Sequence, residues 1–284
     1  MPPAVRILLA GALFATGGAL IKSCDFPSAQ RAGVRALIAA IAIFALLPEA
    51  RRRPSRQIIL LIPAYFAATF FFVLANTLTT AASTIFLAAT APLWVFIFSP
   101  ILLRERTQRR DLLVFAGIAL GMSMCFLAPS EVLTTASNPP LGNTLALLGG
   151  IGFALLLIGM RHYASKGENI GAAVAAWGSL ATGVLSLALM PAIGQSLDLG
   201  SASDWFVIVV LGVFQVGLAY ALLVRAMPEI PAVRASLILM IEPALSPLIA
   251  YAVHDERPHF YTILGGALIV GSVAAGSLYQ SRSK

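Results

Sequence analysis

Residues 57–103 read QIILLIPAYFAATFFFVLANTLTTAASTIFLAATAPLWVFIFSPILL, and these 47 residues contain no Asp, Glu, Lys, Arg or His. A helix that crosses a bilayer needs about 20 consecutive apolar residues. The run is more than twice that length, so it must fold back on itself. Its one polar cluster, Asn76-Thr77-Leu78-Thr79-Thr80, marks the turn. Further uncharged runs cover 112–130, 169–197, 206–224 and 258–281. Prolines at 48, 54, 129, 139, 140, 191, 228, 231 and 258 punctuate the chain between runs.

Composition agrees with that stretch. Of 284 residues, 59% are hydrophobic and 11% charged, with mean hydropathy +0.89. A soluble domain has roughly 45–50% apolar and about 25% charged residues, so a soluble enzyme is excluded. Apolar runs far longer than a barrel strand of about 10 residues exclude a membrane β-barrel. The reading is an all-α integral membrane protein with helices over 4–22, 28–47, 57–75, 80–101, 110–128, 142–163, 170–190, 204–226, 231–252 and 259–279. Ten spans take roughly 200 residues and leave no room for an extramembrane domain. The first run follows Arg6 and could pass for a signal peptide; with nine more apolar segments after it, it reads as a retained membrane helix. Cys24 and Cys125 read as small apolar fillers, with pairing left open.

The net charge of +7 and the pI near 9.9 could suggest nucleic acid as a partner. The cations sit between apolar runs, where they report topology instead. With ten spans, one side collects Arg6, Arg51, Arg52, Arg53, Arg56, Arg104, Arg106, Arg109, Arg110, Arg161, Lys166, Arg225, Arg234, Arg282 and Lys284. The other side holds only Lys22, Arg31, Arg35 and Arg257. The positive-inside rule then places both termini in the cytoplasm, in a plasma membrane of the bacterial inner type.

A repeat is also legible. Ala91-Pro92-Leu93-Trp94 parallels Glu242-Pro243-Ala244-Leu245, and Glu105-Arg106 parallels Glu256-Arg257 at the same offset of 151. At offset 139, Leu8/Leu147, Gly11/Gly150, Phe14/Phe153, Ala15/Ala154 and Lys22/Arg161 pair the first helix with the sixth. Two units of five helices follow, residues 1–138 and 139–284. Because five is odd, the second unit enters the membrane from the opposite side. Inverted-topology repeats are the architecture of alternating-access carriers, with the substrate held near the midplane.

These features resemble the EamA-type members of the drug/metabolite transporter superfamily: ten short spans, the fourth-helix Pro92 followed by Arg104-Glu105-Arg106, and the echo of Glu242-Pro243 and Glu256-Arg257. Length and loop economy are similar to the bacterial aromatic amino-acid exporter branch. The resemblance implies an inner-membrane exporter with a central cavity. It also implies Glu-Pro at 242–243 in members of varied substrate, which gives that pair a mechanical reading.

Glu242 is the one acid well inside a span. An intramembrane charge is a functional residue by default, able to take a proton or meet an amine; the alternative is a structural bond to backbone freed by Pro243 and Pro247. Tyr65, Thr69, Phe72 and Asn76 share one helix face, either toward a cavity or toward another helix through hydrogen bonds. Ser83, Thr90 and Trp94 form a similar stripe, and Gln215, Tyr220 and Trp177 complete the cavity candidates. Pro92 and Pro243 are read as helix-bending elements. Lys22 and Arg35 are candidates for attracting a carboxylate, whereas Arg31 is expected to snorkel with Asp25 as partner. Gly117xxxGly121, Gly11xxxAla15 and Gly17-Gly18 suit close helix packing, within the chain or at a dimer face.

Catalysis finds no support. His162, His254 and His259 all lie at helix ends, and no Asp lies mid-span. No Gly-rich loop with Lys that would cradle ATP is present, and no metal or cofactor is called for. The expectation is a carrier of small amphipathic metabolites, neutral and aromatic amino acids foremost. Its partners are a small-molecule substrate and the lipid bilayer, without nucleic acid. One chain already holds both repeats, so a monomer suffices. A drug or other metabolite exporter of the same fold, or a passive facilitator without ion coupling, is the alternative.

Overall fold

A computed structural model describes residues 1–79, 81–103, 109–127, 137–254 and 260–281. The regular elements among those residues are all helices, with no strand among them. The helices are α1 (Pro3–Lys22), α2 (Ser28–Leu46), α3 (Arg56–Phe66), α4 (Phe72–Leu78), α5 (Ala81–Ala88), α6 (Ala91–Leu102), α7 (Arg109–Leu127), α8 (Pro139–Ser165), α9 (Gly171–Leu189), α10 (Ala202–Val210), α11 (Ala219–Ala226), α12 (Ala232–Leu239), α13 (Ile241–His254) and α14 (Phe260–Ser281). Seven helical stretches are long and apolar enough to cross a membrane; Ala91–Leu102, Asp111–Met124 and Ile263–Ala275 are apolar but shorter. The outer surface carries large apolar side chains such as Leu113, Ile101, Phe206 and Ile41, each at least 70% exposed. That exposure suits lipid, which solvates these groups as well as a core would.

Two pairs of spans depart from the uninterrupted helices expected. The third expected helix runs from α3 to α4 through a π-helical turn, Ala67–Phe71. The eighth runs from α10 to α11 through a second one, Leu211–Leu218. In the first, the Thr69 hydroxyl donates to the Tyr65 carbonyl at 2.8 Å, a side-chain bond of the kind that bends helices. The fourth and ninth expected helices are broken rather than bent. α5 ends with Thr90 N–H donating to the Leu87 carbonyl at 3.2 Å before α6 starts at Ala91. α12 ends with Met240 N–H donating to the Leu237 carbonyl at 3.2 Å before α13 starts at Ile241. The cause is Pro92 and Pro243, which have no N–H to continue a helix but are tolerated in a first turn, where that N–H is unused anyway.

Packing is densest between α2 and α9 and between α7 and α14. The remaining principal contacts come in matched pairs: α1 lies on α13 as α8 lies on α5 and α6, and α2 lies on the second π turn as α9 lies on α3. At the α2–α9 crossing, a Cβ on Gly33 would come within 3.1 Å of the Gly183 carbonyl, and one on Gly183 within 3.2 Å of the Gly33 carbonyl. Only glycine admits that approach from both sides. Gly117 and Gly121 face Ser272 and the Gly265 carbonyl of α14, so this small-residue motif is used inside the chain.

The two ends differ in charge. At the end holding the N-terminus, Arg6 donates to the Arg225 carbonyl (2.7 Å) and pairs with Glu229 (2.8 Å), and Arg161 donates to the Pro228 carbonyl (2.7 Å). At the opposite end, Arg31 donates to the carbonyls of Ile21 (2.7 Å) and Phe26 (2.8 Å). It thus closes the C-terminus of α1 rather than pairing with Asp25, the partner expected. Asp204 accepts from Asp25 N–H (2.8 Å), while Gln30 and Asp198 exchange two bonds. Cys24 is buried there as a free thiol, and burial pushes its pKa above the usual value, which disfavours the thiolate. The side chain of Cys125 and the Glu105-Arg106 and Glu256-Arg257 pairs lie outside the described residues. Replacing Gly183 with Val should lower the thermal unfolding midpoint in detergent, reflecting about 1–3 kcal/mol of overpacking; an unchanged midpoint would show that the crossing has slack.

Candidate functional site

Both breaks and both π turns face one cavity of about 100 Å³. Residues before position 138 supply Phe14 from α1, Arg35 from α2, Thr69 and Phe72 from the first π turn and α4, and Ala88, Ala89 and Ala91 from the first break. Residues after 139 supply Gly149, Gly150 and Phe153 from α8, Gln215 from the second π turn, Tyr220 from α11, and Met240, Glu242 and Pro243 from the second break. Glu242 lies ten residues after the start of α12 and twelve before the end of α13. At 1.5 Å per residue this is about 15 Å from one end and about 18 Å from the other, close to mid-membrane. An acid in the first turn of α13 also meets the positive end of that half-helix.

Arg35 is 4% exposed, although it starts only seven residues into α2. Its Nη1 donates to Gln215 Oε1 at 3.2 Å, and its Nε is buried without a partner. Gln215 is seated by close approach of α1: a Cβ on Gly17 would stand 2.7 Å from Gln215 Nε2. No side chain or backbone group among the described residues hydrogen-bonds the Glu242 carboxyl. Among the described residues the cavity therefore holds one cation and one acid, neither with a full set of partners there, among apolar and aromatic walls.

The walls are set by rings. Tyr220 meets Phe14 edge-on at 5.3 Å and Tyr65 at 4.9 Å, and Phe14 meets Phe153 edge-on at 6.4 Å. Tyr65 is 1% exposed and stands behind Tyr220, its hydroxyl 2.6 Å from Ser179 Oγ. Thr69 lies 3.5 Å from Thr182 on the same neighbouring helix, α9.

Of the residues singled out in the sequence, Thr69, Phe72, Gln215, Tyr220, Glu242, Pro243 and Arg35 converge on the cavity, with Tyr65 one layer behind. The others go elsewhere. Asn76 donates to the Phe72 carbonyl at 2.8 Å on its own helix. Thr90 donates to the Leu87 carbonyl and accepts from Trp94 Nε1 at 3.2 Å, so this pair ties off the first break. Pro92 is buried in the first turn of α6, and it is Ala91 that reaches the cavity. Trp177 donates to the Arg52 carbonyl at 2.9 Å, at the end holding the N-terminus. The side chains of Lys22 and Ser83 lie outside the described residues. Phe14, Phe153 and the Gly149-Gly150 pair were not expected as lining. Their signal was present in the repeat pairs Phe14/Phe153 and Gly11/Gly150, read there for ancestry rather than for placement.

Gln215→Leu leaves the Arg35 guanidinium without a partner among the described residues. It should destabilise the protein by about 1.5–3 kcal/mol, the range for a hydrogen bond to a charged group. Combining it with Arg35→Leu should restore most of the unfolding midpoint in detergent; equal loss in the single and double variants would show that the contact carries no coupling.

The model of the EamA-like transporter family matches residues 2–127 and again residues 140–277. No curated protein matches the sequence. A solved structure titled only "Crystal structure of protein" has the same fold, with a TM-score of 0.82 at 21% identity over 99% of this chain and 98% of that one. The chain belongs to the EamA-like transporter family and is a multi-pass membrane protein that transports small molecules.

Proposed function

We propose that this EamA-like transporter is a bacterial-type inner-membrane exporter of small amphipathic metabolites, neutral and aromatic amino acids foremost. It works by alternating access between two inverted five-helix repeats, residues 1–138 and 139–284. The observation that carries the reading is the single cavity bounded by both broken helices. Discontinuous helices meeting near the midplane are how secondary carriers place backbone groups beside a solute. The repeats are supported by the paired π turns, the paired breaks, the matched helix contacts and the Gly33–Gly183 crossing, whose two residues are 150 apart. The concentration of arginine at the end holding the N-terminus supports cytoplasmic termini.

Substrate preference rests on the lining. Phe14, Phe72, Phe153 and Tyr220 offer apolar walls, while Arg35, Thr69, Gln215 and Glu242 offer polar contacts, the mixture an amphipathic metabolite needs. Transport proceeds by rocking of one repeat against the other. The segments at Thr90 and Met240 act as joints, because no regular helical hydrogen-bond ladder crosses them. Both repeats lie in one chain, so a monomer is the transporting unit.

Counterflow tests the reading. Liposomes holding the purified protein, preloaded with one unlabelled neutral amino acid, should transiently accumulate labelled phenylalanine from outside. Equilibration without an overshoot would indicate a passive facilitator, and no uptake with any amino acid would remove amino acids as substrates. Pro243→Ala should let α12 and α13 join into one helix and change the balance of inward- and outward-facing states; identical accessibility of end-located probes in the variant and the parent would exclude the joint.

A further inference from the structure

The proposed exchange of solutes explains why a cavity exists but not why a buried cation and a buried acid both face it. An arginine held in this way is costly unless paired. Gln215 satisfies only Nη1. Neither Nε nor Nη2 has a partner among the described residues, and Nε is fully enclosed. Arg35 nonetheless reaches the cavity lining, and its guanidinium N–H groups are the donors there that suit a carboxylate. Gln215, itself 6% exposed, holds the guanidinium in place through Nη1. Among the described residues Glu242 is the only acid in the lining, and Tyr220 is the other titratable group besides Arg35. Arg31 is not among the described lining residues.

Resting on the reading of this cavity as the substrate site, we propose that Arg35 and Glu242 are a charge-reading pair that admits solutes carrying both a carboxylate and an amine, the carboxylate seated on the Arg35 guanidinium and the ammonium on Glu242. The selection follows from what each wrong solute leaves behind. A cationic amine without a carboxylate leaves Arg35 unpaired and adds charge near it. A carboxylate without an amine faces Glu242 and leaves that acid unpaired. A zwitterion satisfies both groups and brings no net charge into the membrane interior. The apolar remainder lies against Phe14, Phe72, Phe153 and Tyr220, which set size and shape but not charge.

The test is equilibrium binding to the purified full-length protein in detergent, with labelled phenylalanine displaced by three competitors: phenylalanine itself, phenethylamine, which lacks the carboxylate, and 3-phenylpropanoate, which lacks the amine. In the parent, phenylalanine should compete at least about tenfold more strongly than either analogue, the lower range for a charged hydrogen bond. In Arg35→Gln the advantage over phenethylamine should disappear while that over 3-phenylpropanoate remains. In Glu242→Gln the reverse should hold. Should Arg35→Gln not fold, Arg35→Lys keeps the charge but lacks the planar guanidinium that Gln215 holds, and should lose most of the advantage over phenethylamine. Equal competition by all three in the parent, or a uniform loss in each variant, would overturn the charge-reading pair. Counterflow of neutral amino acids persisting alongside either result would leave the carrier reading intact; absence of both binding and counterflow would overturn the two together.

Discussion

Within hydrocarbon, every backbone N–H and C=O must find its partner inside the protein. This chain nevertheless interrupts two apolar helices, at Thr90 and at Met240. Such interruptions are stable only where protein or a polar cavity takes up the freed groups. Here both stand against the same cavity, and the helices facing them change to a π pitch at Ala67–Phe71 and Leu211–Leu218. The prolines that cause the breaks, the glycines that let α1, α2, α8 and α9 approach so closely, and the placement of Glu242 at a half-helix start all follow from keeping that arrangement satisfied.

The cavity's chemistry follows from the same constraint. Arg35 and Glu242 line the same cavity, and a charged group inside a membrane-spanning protein faces a cavity or a partner. The rings of Phe14, Tyr65, Phe153 and Tyr220 surround this site in contact with one another, so the polar groups sit in a rigid apolar frame. A frame of this kind orients a small solute with few contacts.

Much of the fold was legible because spans in lipid are governed by length and hydropathy. The 47-residue run, the proline positions and the arginine clusters were enough to place helices within a few residues of those observed. The interruptions were not legible, since a proline near the middle of a span is compatible with either a bend or a break. The tyrosine–threonine face of the third helix was readable from its spacing, and Thr69 and Phe72 do reach the cavity. Asn76 shares that face by spacing, yet the π turn and the end of α4 leave it bonded to its own helix. Arg35 was read as a carboxylate-attracting candidate, but its burial was not legible. What holds it inside is Gln215, 180 residues away, and a contact that distant has no periodic signature in one sequence.

The central claim is that this cavity is the solute site and opens to each side in turn. The most direct measurement uses a Cys24→Ser, Cys125→Ser background carrying Phe72→Cys in the cavity wall, reconstituted in liposomes of known orientation. Reaction with a membrane-impermeant maleimide is then followed from each side, with and without neutral amino acid. The account predicts labelling from both sides and protection from both by the transported solute. Labelling from one side alone under every condition, or labelling indifferent to every solute that counterflow identifies, would contradict it.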